Sequence, residues 1–144
     1  MSKTAAPFRL IPDNNGLIHL AAAYTPSTHI HAPDSDYVRW YWLSDLGPSA
    51  YLAWTTLALW IPTSEGSTVQ LDYTELAHSL GTAPGRLTRA LARLGAFHLA
   101  HTLPEEPHTL YIRRAAPDLS SGQRARLAER CPTLAAELLR HHAT

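Results

Sequence analysis

The chain contains one cysteine, one methionine and one lysine among its 144 residues. A lone thiol, Cys131, excludes an internal disulfide and a zinc site of the thiolate kind, and it fits a reducing cytoplasm. Long apolar runs are missing too. The most apolar stretch, AYLAWTTLALWIP at 50–62, is shorter than the ~20 residues of a membrane-spanning helix. No charged start followed by an apolar segment opens the sequence, so no signal peptide is expected and the expected location is cytoplasmic, with no membrane partner. The chain has no glycine-rich phosphate loop, no G-x-S-x-G and no paired carboxylates in a plausible cleft, which argues against an enzyme. The nine histidines invite a metal, but no cysteine or carboxylate accompanies them at ligand spacing. His98 and His101 would face opposite sides of one strand. No metal and no cofactor are expected.

Net charge is zero as well, so the whole chain is no polycation that would bind nucleic acid indiscriminately. Its distribution is uneven. Residues 1–72 hold three basic side chains against six acidic ones, and residues 73–144 hold nine arginines against six acids, giving −3 and +3. A negatively charged partner would meet the second half. With 45% hydrophobic and 17% charged residues, the composition is that of a folded globular chain the size of one domain.

Several elements can be placed from punctuation and periodicity. PDNNG at 12–16 and HAPDSD at 31–36 are turn signals around the short apolar runs FRLI and LIHLAAAY, which read as strands or an irregular arm. YVRWYW at 37–42 reads as a short strand, with a helical turn as the alternative. Gly47-Pro48 should start a helix ending near Trp60 before Pro62. That helix is apolar around nearly its whole circumference, so either the rest of the chain or a partner subunit covers it. TSEGST at 63–68 reads as a loop and VQLDY at 69–73 as a strand. Thr74 is the expected cap of a helix from Glu75 to Leu80, Gly81 its terminator, and Thr82 the cap of the next helix. There Leu87, Ala90, Leu91 and Leu94 recur on one face until Gly95 stops it. A hairpin follows, FHLAHTL and HTLYIRR around the turn PEEP at 104–107. Ser120 and Gln123 form a capping box for a helix to Arg130, and Pro132 restarts a last one from about Thr133 to Arg140. The fold class expected is mainly α with a small β component, α+β.

The order helix, strand, helix, turn, helix, hairpin over residues 43–114 resembles the winged helix-turn-helix superfamily. The resemblance is carried by Ala77 where two helices cross, Gly81 four residues later, and apolar Leu76, Leu80, Leu87 and Ala90. It implies an N-terminal arm over 1–42 packed on the core, the motif over 43–114, and C-terminal helices over 115–144 as a possible dimerisation element. Leu127, Leu134, Leu138 and Leu139 would form the seam of that element. It also implies double-stranded DNA as partner, with the helix from about Ala83 to Leu94 in the major groove. Its outward residues would include Gly85, Arg86, Thr88, Arg89 and Arg93. Arg86, Arg89 and Arg93 make a basic stripe with no acid on that helix, suited to phosphate and guanine. Thr82 and Thr88 are candidates for phosphate or base hydrogen bonds, and Gly85 for close approach to the duplex. The hairpin base carries Arg113 and Arg114, whereas its tip carries Glu105 and Glu106, a poor fit to phosphates.

Two functions therefore stand side by side. The first is a dimeric transcriptional regulator that binds DNA without chemistry. The second is a protein–protein interaction module on the same fold, using the acidic tip and the aromatics crowded between Tyr37 and Trp60.

Overall fold

The computed structural model describes residues 8–26, 28–61 and 67–143. The fold is α+β, with helices around a small mixed sheet of order β3-β1-β5-β4. Strand β1 (Leu17–Ala22) is an inner strand, antiparallel to β3 (Thr68–Asp72) and parallel to β5 (Glu106–Ile112). The apolar run LIHLAAAY thus extends the hairpin's sheet. FRLI, by contrast, forms no strand. The PDNNG turn is closed by the Asp13 carboxylate, which accepts the amides of Asn15 and Leu17, and by Gly16 at φ +77°. These amides lower the Asp13 pKa, the Leu17 bond most. A second small pairing joins β2 (Ile30–His31) to β6 (Ala116–Pro117).

YVRWYW is helical, not a strand. Val38–Trp42 forms a wide turn closed by the Leu43 amide on the Val38 carbonyl, and it runs on into helix α1 (Leu43–Leu46). Helical spacing buries Val38 and Trp42, and the Trp42 indole donates to the Pro117 carbonyl at 3.0 Å. Trp40 is left 53% exposed, so the two tryptophans do not share a face as strand alternation required. Tertiary packing overrides β-propensity here.

Helix α2 (Pro48–Trp60) occupies the expected span. Ala50, Ala53, Trp54, Leu57 and Ala58 are buried, but Leu52, Leu59 and Trp60 are exposed. Part of its circumference is therefore uncovered by the described residues. The loop read at 63–68 lies mostly outside them.

Helix α3 (Tyr73–Ser79) is capped by Asp72, whose carboxylate accepts the Glu75 amide at 2.9 Å. Thr74 was the expected cap, but it lies inside the first turn. Gly81 ends the helix at φ +72°, with its own amide on the His78 carbonyl and that of Thr82 on the Ala77 carbonyl. This is the paired closure of a Schellman turn, and it needs a left-handed residue. Helix α4 (Pro84–Ala96) follows, with Ala83 rather than Thr82 at its cap and no side-chain cap bond. Ala77, Leu87, Leu91 and Leu94 are almost completely buried where α3, α4 and the sheet meet.

Gly95 does not stop α4; the helix runs through it to Ala96. A Cβ at Gly95 would stand 2.9 Å from the Phe8 ring, so packing of the N-terminal segment accounts for the missing side chain. Termination falls to His98 at φ +61°, with the Leu99 amide on the Leu94 carbonyl and that of His98 on the Gly95 carbonyl. A non-glycine residue in that conformation is strained, so His98→Gly is expected to stabilise the fold by ~1 kcal/mol. The check is a rise of roughly 2–4 °C in thermal midpoint.

Strand β4 (Ala100–Leu103) pairs with β5 in a hairpin with Leu103 opposite Glu106. Only Pro104 and Glu105 form the tip; Glu106 belongs to the strand, where its carboxylate accepts from the Tyr111 hydroxyl. The capping box of Ser120 and Gln123 is present at helix α5 (Ser121–Arg130), and Pro132 opens α6 (Pro132–Ala143). Leu127 and Leu138 are buried in the chain's own core, not left open as a seam for a second copy, while Leu139 is 65% exposed.

Candidate functional site

Helix α4 presents its apolar stripe inward and its cations outward. Leu87, Ala90, Leu91 and Leu94 are buried, and Gly85, Arg86, Thr88, Arg89 and Arg93 are exposed. The three arginines line one open hollow of about 460 Å³, facing the start of α2 at Gly47, Pro48, Ser49 and Ala50. Among the described residues no acidic side chain lines it. Arg86 also borders a second hollow with His78, Gly81, Thr82 and Ala83. The structure thus brings Thr82, Arg86, Arg89 and Arg93 along one side of the helix pair. Gly85 has open space where a side chain would stand.

The stripe is not uniform. Arg93 donates its Nε to the Leu46 carbonyl at 2.7 Å and its Nη2 to the Asp45 carbonyl at 2.6 Å. Its guanidinium carbon also lies 5.4 Å from the centre of the Phe97 ring. Thr88 is committed as well: its hydroxyl donates to the Pro84 carbonyl at 3.0 Å and accepts from the Tyr73 hydroxyl at 2.7 Å. One hydroxyl proton leaves no other assignment if Thr88 is the donor to Pro84. Arg86 and Arg89 have no such internal partner among the described residues.

Arg113 and Arg114 follow β5 rather than lying on it, and neither lines these hollows. Arg113 is half-buried, with its amide on the Leu99 carbonyl and its carbonyl holding the Trp54 indole at 3.0 Å. Its Nε is buried with no hydrogen-bond partner among the described residues. Arg114 is exposed. The hairpin is strapped by the N-terminal segment. The Arg9 amide donates to the Thr102 hydroxyl at 2.9 Å, and the Ile11 amide to the Pro107 carbonyl at 2.8 Å.

Two clusters are assembled by partners distant in sequence, the pair His29 and His31 being visible in the sequence but its carboxylate not. His31 Nε2 lies 2.6 Å from one oxygen of Asp118 and His29 Nδ1 lies 3.5 Å from the other, with the His31 ring stacked on Tyr37 at 3.5 Å. The second centres on Asp45. It is 5% exposed and accepts Nε and Nη2 of Arg126 at 2.8 Å each, with Arg130 Nη1 at 3.6 Å. The Arg126 hydrogen bond holds the Asp45 carboxyl below its usual pKa. Arg126 and Arg130 share one face of α5 at i, i+4, the only trace of this cluster that the sequence carries. A different expectation for histidine fails: His98 and His101 line the same hollow, beside Phe8 and Gly95, because β4 begins only at Ala100. Burial lowers the His101 pKa.

The chain matches no family model, no curated protein and no solved structure.

Proposed function

We propose that the chain is a winged helix-turn-helix protein that binds double-stranded DNA through α4 and acts as a dimeric transcriptional regulator. The observation that carries this reading is the pair Arg86 and Arg89. Both are exposed on consecutive turns of one helix and, among the described residues, have no internal partner and lie beside a hollow with no acid in its lining. Two uncompensated guanidinium groups on a helix held at its far end by Arg93 suit base-edge or phosphate contact. Thr82 and Gly85 lie at the same end, where a recognition helix meets the groove. The order α2, β3, α3, α4, β4, β5 and the left-handed turn at Gly81 support the family reading. The exposed Leu52, Leu59 and Trp60 of α2 support a second copy as cover.

Arg86→Ala and Arg89→Ala are each expected to weaken binding to a duplex selected from random sequences by ~1–3 kcal/mol, about 5- to 150-fold. Fluorescence anisotropy at several salt concentrations measures this, because only contact with the polyanion gives a steep salt dependence. Equal affinity of both variants and the unmodified protein would remove α4 from the interface. A second reading, a protein-docking module, is favoured by the same exposed α2 face. It predicts retained partner binding in the Arg86 and Arg89 variants and no salt-dependent retention on duplex DNA.

A further inference from the structure

Helix α1 has four residues, too few to hold its own shape, and its last carbonyls have no intrahelical donors. Arginines from two other helices supply them. Arg93 of α4 takes the carbonyls of Asp45 and Leu46, while Arg130 of α5 takes that of Ser44 at 3.0 Å. The Asp45 carboxylate is filled by the two parallel bonds of Arg126. One residue, Asp45, thus holds α4 by its main chain and α5 by its side chain.

We infer that Arg93, Asp45 and Arg126 form a positioning relay through which the helix pair α5–α6 sets the orientation of α4. The inference rests on the DNA-binding reading for its functional consequence and on this geometry for its existence. While Arg126 occupies both carboxylate oxygens, Arg93 is confined to the carbonyls. Once Arg126 withdraws, Asp45 keeps a nearly buried charge with Arg130 at 3.6 Å as its remaining cation among the described residues and the Gln123 side chain as a polar neighbour. Such a charge recruits another cation. Arg93 already has a donor on the carbonyl of that residue, so it turns from carbonyl to carboxylate. The arrangement seen is thus one of two that the inference requires, since coupling between elements needs an element with two discrete states. Arg93 lies two turns along α4 from Arg86, so moving its anchor tilts the end that carries Arg86 and Arg89. A molecule that grips α5 and draws Arg126 off Asp45 would change DNA affinity without touching DNA.

The test compares Arg126→Gln, Arg93→Gln and their combination, each confirmed as folded by its thermal transition, with Arg126→Lys as a milder second variant. Anisotropy on the selected duplex at three salt concentrations is read beside hydrogen exchange of α4 in the free protein. Arg126→Gln is expected to weaken binding about tenfold with the salt slope unchanged, because positioning removes no phosphate contact. The double variant should bind no more weakly than the weaker single one, the signature of a shared path. Exchange over Leu87–Leu94 should quicken in Arg126→Gln, and less so in Arg126→Lys. Unchanged affinity and unchanged α4 exchange in Arg126→Gln would overturn the relay. So would a salt slope reduced by about one in Arg93→Gln, which would make Arg93 a phosphate ligand. If the unmodified protein binds no duplex, the DNA reading fails alone, and α4 exchange decides the relay by itself.

Discussion

Replacing Trp54 by alanine is expected to cost ~3–5 kcal/mol, the range for removing a large aromatic side chain from a packed core. The side chain is 0% exposed in the middle of α2, packed in the core that α2 shares with the sheet. Its indole also donates to the Arg113 carbonyl at 3.0 Å, tying α2 to the end of the hairpin. Truncation removes both the volume and that bond, and a domain of ordinary stability has only ~5–15 kcal/mol in total. At ~2–4 °C per kcal/mol, calorimetry should show the midpoint falling by roughly 6–20 °C. Trp54→Phe separates the two losses. It keeps most of the volume but orphans the carbonyl, so it should cost only ~1–3 kcal/mol. A Trp54→Ala protein melting within a few degrees of the unmodified one would mean that α2 does not pack as described.

Asp45→Asn is the second large effect, and its size should depend on pH. The amide keeps the shape of the carboxylate but places a donor against the donors of Arg126, and it removes the charge that the arginines surround. We expect a loss of ~2–3 kcal/mol near neutral pH, below the ~3–5 of fully buried pairs because the Arg126 side chain is 44% exposed. The Asp45 pKa is lowered from 3.8 by folding, chiefly through the Arg126 hydrogen bond. Its contribution is therefore complete above the unfolded pKa and disappears as pH falls through the lower folded one. Melting curves of the two proteins should lie well apart at pH 7 and draw together as the pH falls below the ordinary value of 3.8. A gap that stays constant across that window would mean that the carboxylate charge contributes nothing.

Local chemistry made much of the fold legible. The two ends of α2, the Gly81 turn and the capping box at Ser120 each follow from residues within a few positions of the feature, and each is where the sequence puts it. What failed depended on distant partners. YVRWYW has the composition of a strand, but burial of Val38 and Trp42 and the bond to Pro117 reward helical spacing instead. Gly95 looked like a terminator because nothing nearby announces that Phe8, far back in the chain, lies against it. The candidate site divides in the same way. Exposure of Arg86 and Arg89 follows from helical periodicity, whereas Arg93, on the same stripe, is diverted by the carbonyls of Asp45 and Leu46. Thr88 is diverted by Tyr73, a residue of the preceding helix.

The inner position of β1 bears on how the chain reaches its fold. His19 stands opposite Thr109 in a parallel pairing, ninety positions later, so the sheet's central ladder is among its most non-local contacts. Pairings of that kind raise contact order and slow the search, since the loop entropy is lost before the contacts form. During synthesis at ~5–20 residues per second, β1 leaves the ribosome several seconds before the strand that covers one of its edges. Over the later part of that interval Ile18 and Leu20, both 0% exposed in the finished fold, have β3 as the sheet neighbour already made. An early β1–β3 antiparallel pair, waiting on the hairpin, is the intermediate this topology favours, and its open edge is where newly made chains would associate wrongly.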